Sequence, residues 1–236
     1  MIPELLVCDD LVDQTLAMLT QKLVATDPAR SHHVVLTGGS AGMSITRKLS
    51  QVAQSIPKEV WADTHFWWGD ERFVASDHED RNDRDINSAL GDYFIESNIH
   101  RVTPSDRIAD AQGSADRYMH ELSNFGENGS PPQFCFVVLG VGPDGHIASL
   151  FPGRPELYSH EMVLPVLDSP KPPPVRVTMS YPTLNYSDCT LLLLGGENKR
   201  DALTSIMNAR GSIESTPARG IEAVKVYALT DQLFGV

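Results

Sequence analysis

The chain has 236 residues, is 41% hydrophobic and 21% charged, and carries a formal net charge of −12. This length and composition suit an ordinary globular protein with a sizeable core. The acidic balance argues against nucleic acid or an anionic membrane surface as a main partner, but leaves open a small anionic ligand held in a local basic pocket.

In chain order, strand-like and helical patterns alternate. Residues 5–8 read as a short strand. Residues 11–24 have helical spacing, with Leu11, Leu16, Leu19 and Leu23 turned inward. Residues 33–37 form a strand that ends in Gly38-Gly39-Ser40, and residues 41–55 are helical. Residues 64–69 are a strand that runs into Asp70-Glu71-Arg72. Residues 83–94 and 109–123 look helical. Residues 134–139 are an apolar, central buried strand. Residues 175–179 and 190–194 are strands, a helix follows over 197–207, and residues 224–229 close the sheet. Residues 125–133 and 152–174 read as loops, the second a rigid surface connection or a lid, and neither divides two cores. The expectation is one α/β domain over 1–236, with a mainly parallel sheet covered by helices on both faces.

The N-terminal residues Met1-Ile2-Pro3-Glu4 do not read as a secretory signal, and no apolar run approaches a membrane span. Cys8, Cys135 and Cys189 are spaced neither as a disulfide framework nor as a zinc site, and the eight histidines show no metal-ligand spacing. A cytoplasmic location is expected, with no metal.

Four strand ends carry polar residues suited to chemistry. Gly38-Gly39-Ser40 precedes a helix, where backbone N–H groups and the helix dipole favour phosphate; it also serves as plain strand–helix punctuation. Asp70-Glu71-Arg72 offers a guanidinium fork for phosphate, or else a surface ion pair, and Asn82 sits in a charged stretch that can line a pocket. Asp144-Gly145-His146, framed by Gly142, puts an imidazole beside a carboxylate; its alternative is a histidine that merely closes the turn. Ser149 lacks the Gly-x-Ser-x-Gly setting of a nucleophile. Gly195-Gly196-x-x-Lys199 places a cation in the first turn of a helix, a cost that a bound anion offsets. Arg176 is a further candidate for the same pocket.

Together these segments resemble the 6-phosphogluconolactonase family and, more distantly, the glucosamine-6-phosphate deaminases/isomerases. The strongest motif is Gly140-x-Gly142-x-Asp144-Gly145-His146-x-Ala148-Ser149-Leu150-Phe151-Pro152, supported by 36–40, 68–72 and 195–199. After the turn, Ser149-Leu150-Phe151-Pro152 follows the lactonase form; deaminases continue with Phe-Asn-Glu-Pro. The chain departs from many relatives in having Ala41-Gly42 after Gly-Gly-Ser, where they have Thr-Pro.

The resemblance implies a Rossmann-like, doubly wound sheet, a sugar-phosphate substrate, no cofactor, and hydrolysis of 6-phosphoglucono-1,5-lactone in the oxidative pentose phosphate pathway. His146 would be the general base, oriented by Asp144. Arg72 and Lys199 would hold the phosphate with Gly38, Gly39 and Ser40, and Asp70, Asn82, Gly142, Gly145 and Arg176 would line the site. Backbone N–H groups of the 142–145 turn would stabilise the oxyanion. The expected assembly is a monomer or weak homodimer. Two other readings are an isomerase with Asp70 as base and a sugar-phosphate sensor without turnover.

Overall fold

The computed structural model describes residues 2–25, 30–90, 95–208 and 210–231. Its strands are β1 (Glu4–Val7), β2 (His32–Leu36), β3 (Thr64–Trp68), β4 (Asp70–Arg72), β5 (Phe136–Gly140), β6 (Val163–Val166), β7 (Arg176–Met179), β8 (Cys189–Leu194) and β9 (Lys225–Thr230). Its helices are α1 (Leu11–Ala25), α2 (Gly39–Ala53), α3 (Lys58–Ala62), α4 (Ile86–Leu90), α5 (Ala111–Ser123), α6 (Tyr181–Leu184) and α7 (Arg200–Met207).

Six strands form one sheet in the order β1-β9-β8-β5-β2-β3, and every ladder in it is parallel. Strands β2 and β8 are buried along their whole length, as covering on both faces requires. Successive residues serve opposite faces. Val35, Trp67, Val137, Leu139 and Leu192 pack with Ala115 and Leu122 of α5 and Leu203 and Ile206 of α7. Val34, Leu36, Phe66, Phe136 and Leu191 pack with Leu16, Leu19 and Leu23 of α1 and Ile45 and Leu49 of α2. Each such side chain contributes about 1.5–3 kcal/mol on burial. The doubly wound α/β class is therefore as expected.

Several local expectations need correction. Strands β4, β7 and β6 leave the main sheet and pair antiparallel in a second one. The handover is at Gly69, whose N–H still bonds Leu36 while its carbonyl accepts from Met179. The stretch 152–174 is more than a loop, because β6 lies within it. Pro165 is tolerated there since β6 is an edge strand. The helix expected over 83–94 starts only at Ile86, because the backbone N–H groups of Asn82 and Asp83 turn to the Glu71 carboxylate; residues 91–94 lie outside the described residues. The helix expected over 197–207 splits into a 3₁₀ turn, Glu197–Lys199, and α7. Lys199 thus precedes the α-helix. Strand β9 does not close the sheet; it lies between β1 and β8, and the edges are β1 and β3.

Chain order runs from β2 to β3 in one direction and from β5 through β8 to β9 in the other. The crevice where that direction reverses lies beyond the carboxyl ends of β2 and β5, the usual ligand position in such sheets.

Candidate active site

Strand β5 ends at Gly140, whose N–H bonds Thr37 Oγ1 at 3.1 Å and so ties the two switch-point strands together. The following turn is closed by hydrogen bonds from Gly142 N–H to the His146 carbonyl (2.8 Å) and from Gly145 N–H to the Gly142 carbonyl (3.0 Å). Gly145 has φ +77°, a conformation that favours glycine. A Cβ on Gly142 would lie 1.8 Å from His146 Nδ1, so only glycine leaves room for the imidazole.

The His146 ring stacks on Phe151 with centroids 4.6 Å apart. Its Nδ1 is 2.5 Å from Asp144 Oδ1. Partial burial works to raise the Asp144 carboxyl, but the hydrogen bond and charge of His146, with Lys171 nearby, outweigh it and hold the group well below the usual carboxylate range. An ionised carboxylate only accepts, so this contact assigns the neutral ring's proton to Nδ1 and leaves Nε2 as the acceptor. That is the arrangement of a general base with its orienting acid.

The ring opens into a cleft of about 660 Å³ whose rim includes Gly38, Ser40, Arg72, Lys171 and Lys199. Of the residues expected from sequence, Gly38, Gly39, Ser40, Asp70, Arg72, Asn82, Gly142, His146, Arg176 and Lys199 all line it. Asp144 is not part of the lining and meets the ring at Nδ1. The N-terminus of the 15-residue helix α2 faces the cleft, and its first residues have no side-chain cap. Asn82 explains Gly38: a Cβ there would meet Asn82 Oδ1 at 1.8 Å. Asn82 is itself held by Nδ2 donating to the Asp70 carbonyl at 2.8 Å. Arg72 is anchored by Nη1 donating to the Asp80 carbonyl at 2.6 Å. The Lys199 ammonium donates to the Val141 carbonyl, and burial, aided by Lys171, lowers its pKa.

Three expectations change at this level. Gly145 does not line the cleft; it packs on Thr216, and its carbonyl accepts from Ala218. The N–H groups of Gly142 and Gly145 are used inside the turn, which takes two of the donors expected there for an oxyanion. Arg176, though at the cleft wall, is 4% exposed and spends its guanidinium on the carbonyls of Lys171 (3.0 Å), Pro172 (3.2 Å) and Pro173 (3.0 Å). Its Nη1 also lies 3.7 Å from Asp70 Oδ2, the oxygen that accepts from Ser149 Oγ at 2.7 Å. Arg176 therefore shapes the wall, and Ser149 serves Asp70 and not an attack.

Lys171 was not among the expected site residues. Its Nζ lies 3.1 Å from His146 Nδ1 and 3.4 Å from Asp144 Oδ1. The available signal was its place in Ser169-Pro170-Lys171-Pro172-Pro173-Pro174, a stiff run that carries one long cation. Among the described residues, no group of three or more His, Cys, Asp or Glu could hold a metal ion, and no helix is long and apolar enough to cross a membrane.

A doubly wound sheet with an Asp–His pair at its switch point, in a cleft lined by Arg72, Lys171 and Lys199 as well as by Asp9, Asp10, Asp70 and Asp231, defines an α/β protein with groups suited to acid–base chemistry on a small polar ligand. Residues 7–229 match the model of the glucosamine-6-phosphate isomerases/6-phosphogluconolactonase family, and the chain belongs to that family. A 6-phosphogluconolactonase of Mycobacterium tuberculosis is 40% identical over 193 residues, covering 79% of this chain and 76% of the relative. One from Streptomyces coelicolor is 34% identical, covering 92% and 87%. The crystal structure of 6-phosphogluconolactonase from Thermotoga maritima superposes with a TM-score of 0.80 at 28% identity, covering 97% of this chain and 99% of that one.

Proposed function

We propose that this chain hydrolyses 6-phosphoglucono-1,5-lactone to 6-phosphogluconate, with His146 as general base. The single observation that carries the reading is the 2.5 Å contact of Asp144 with His146 Nδ1, which leaves Nε2 as the acceptor in a cleft that also holds Arg72 and Lys199. The names of the curated relatives support the substrate.

Arg72, Lys199 and the N-terminus of α2 hold the phosphate, far from the reacting carbon, and so position the lactone carbonyl beside His146. Water attacks that carbonyl as Nε2 takes its proton. Asp144 stabilises the imidazolium without taking the proton itself. The tetrahedral intermediate collapses with cleavage of the bond from the carbonyl carbon to the ring oxygen, and the imidazolium returns its proton to that oxygen. Such acid–base help is typically about 10²–10⁴-fold, enough for a lactone that already hydrolyses unaided. Asp70 is a poorer candidate base for an isomerase, because Ser149 already occupies its Oδ2. The free thiols of Cys8, Cys135 and Cys189 fit a cytoplasmic enzyme.

The test is acid release in weak buffer from lactone generated in place, read against the spontaneous rate. Wild-type acceleration that falls by about 10²-fold or more in His146→Ala supports the reading. No wild-type acceleration overturns it. Acceleration that persists in His146→Ala retains the substrate and rejects the base.

A further inference from the structure

A cation at Lys171 is an awkward neighbour for a base. Its Nζ is 3.1 Å from His146 Nδ1, and Nδ1 cannot both donate to Asp144 and accept from an ammonium. Like charge at that range opposes the imidazolium that catalysis must form. The position is nevertheless well built. Ser169 Oγ accepts from Lys171 N–H (3.2 Å) and donates to the Lys171 carbonyl (3.0 Å). The buried Arg176 guanidinium binds the Lys171 carbonyl and the two that follow it. The ammonium lies 5.9 Å over the Phe151 ring, the same ring that seats His146. Lys171 lines the cleft with its side chain 40% exposed, so the head can reach a ligand.

Two facts give this cation a use. Hydrolysis by water creates a negative oxygen on the carbonyl carbon in the same step that charges His146. In the turn that carries His146, the N–H groups of Gly142 and Gly145 bond carbonyls of the turn itself. We propose that Lys171 is a catalytic residue that donates to the oxyanion of the tetrahedral intermediate. This rests on the lactonase reading above. As the water oxygen bonds to carbon, the carbonyl π pair moves onto oxygen and is held by an Nζ–H of Lys171. The pair returns as the bond to the ring oxygen breaks, and the ammonium keeps its protons throughout. The ammonium then faces negative charge in the transition state and exchanges its Asp144 contact for the oxyanion.

The experiment compares wild type, Lys171→Met and Lys171→Arg by lactone kinetics. Titration calorimetry with 6-phosphogluconate and with glucitol 6-phosphate, which lacks the carboxylate, completes it. The expected result for Lys171→Met is a loss in kcat of about 10²–10³-fold, the usual cost of one oxyanion donor, with KM within threefold. Lys171→Arg should regain part of kcat, and Lys171→Met should weaken 6-phosphogluconate more than glucitol 6-phosphate. A Lys171→Met enzyme with kcat within threefold of wild type, or one that changes only KM, overturns the proposal while leaving the lactonase reading intact. Equal weakening of both ligands also overturns it, by assigning Lys171 to the phosphate. Wild-type protein with no lactonase activity overturns both.

Discussion

The chemistry of the site depends on where one imidazole can sit. His146 is clamped between the Phe151 ring and the Asp144 carboxylate, and the space it occupies exists because residue 142 has no side chain. Gly142→Ala is expected to push the ring off Asp144 and lower kcat about 10²-fold, the scale of a 1 Å misplacement, with KM little changed; steady-state kinetics decide it, and unchanged kcat would mean the turn relaxes around the methyl. Arg72, proposed above to hold the phosphate, is tested separately. Its removal in Arg72→Ala should raise KM by about ten- to a hundred-fold, the worth of a charged hydrogen bond, and leave kcat within a few-fold. The Gly-Gly-Ser, Asp-Glu-Arg and Asp-Gly-His groups were legible because each lies at the end of an apolar run. Lys171 was not, because nothing local says which way a lysine in a proline run points.

The short segment between β6 and β7 contributes Lys171 and Pro172 to the cleft. Arg176 enters it from the first residue of β7 and satisfies the carbonyls of Lys171, Pro172 and Pro173 while facing Asp70. Arg176→Met should leave those carbonyls and a buried carboxylate short of partners, at about 1–3 kcal/mol. For a chain of this size that is a fall in Tm of several degrees, about 2–4 °C per kcal/mol. Calorimetry checks it, and an unchanged Tm would show that water replaces the guanidinium. Helix α5 starts at Ala111, two residues later than the expected 109, for a local reason: Asp110 is extended and accepts from Gly113 N–H at 2.8 Å as its N-cap. The start of helix α4 has a distant cause. Its expected first turn is consumed by Glu71, a residue of β4, and no window around Asp83 contains that partner.

For the molecule as a whole, the end of the sheet opposite the cleft has its own electrostatic character. His33, His65 and His100 stack with Trp67 and Phe125 at the amino ends of β2 and β3. Trp67 Nε1 donates to His33 Nδ1, His65 Nδ1 meets His100 Nε2 at 2.9 Å, and Glu121 Oε1 closes the row on His100 Nδ1. Burial, with the neighbouring imidazoles, lowers His33 from 6.5 to about 3 and His65 to about 4; Asp63 opposes the shift at His65. In the unfolded chain both protonate near 6.5, so between that pH and the folded values the unfolded state binds more protons. The stability they contribute is therefore complete above 6.5 and is lost as pH falls toward 4 and then 3, at up to about 1.4 kcal/mol per pH unit for each ring. The urea midpoint should fall from pH 7 to pH 5, and fall less in His65→Phe. An equal fall in both proteins would place the acid sensitivity in other groups.

The α/β class and the polar groups at the strand ends followed from the sequence alone, because apolar runs and glycine turns are local patterns with local causes. The double winding followed from the family resemblance, carried by the turn motif at 140–152 together with 36–40, 68–72 and 195–199. The second sheet and the late start of α4 came from pairings between residues distant in the chain: Gly69 with Met179, Asn82 with Glu71. The tertiary structure also decided which donors in the Gly142 to Gly145 turn remain for a ligand. It placed Lys171, some 25 residues beyond His146, against the same imidazole. Hydrogen-bond satisfaction and charge are properties of a packed site, so no reading of adjacent residues could supply them.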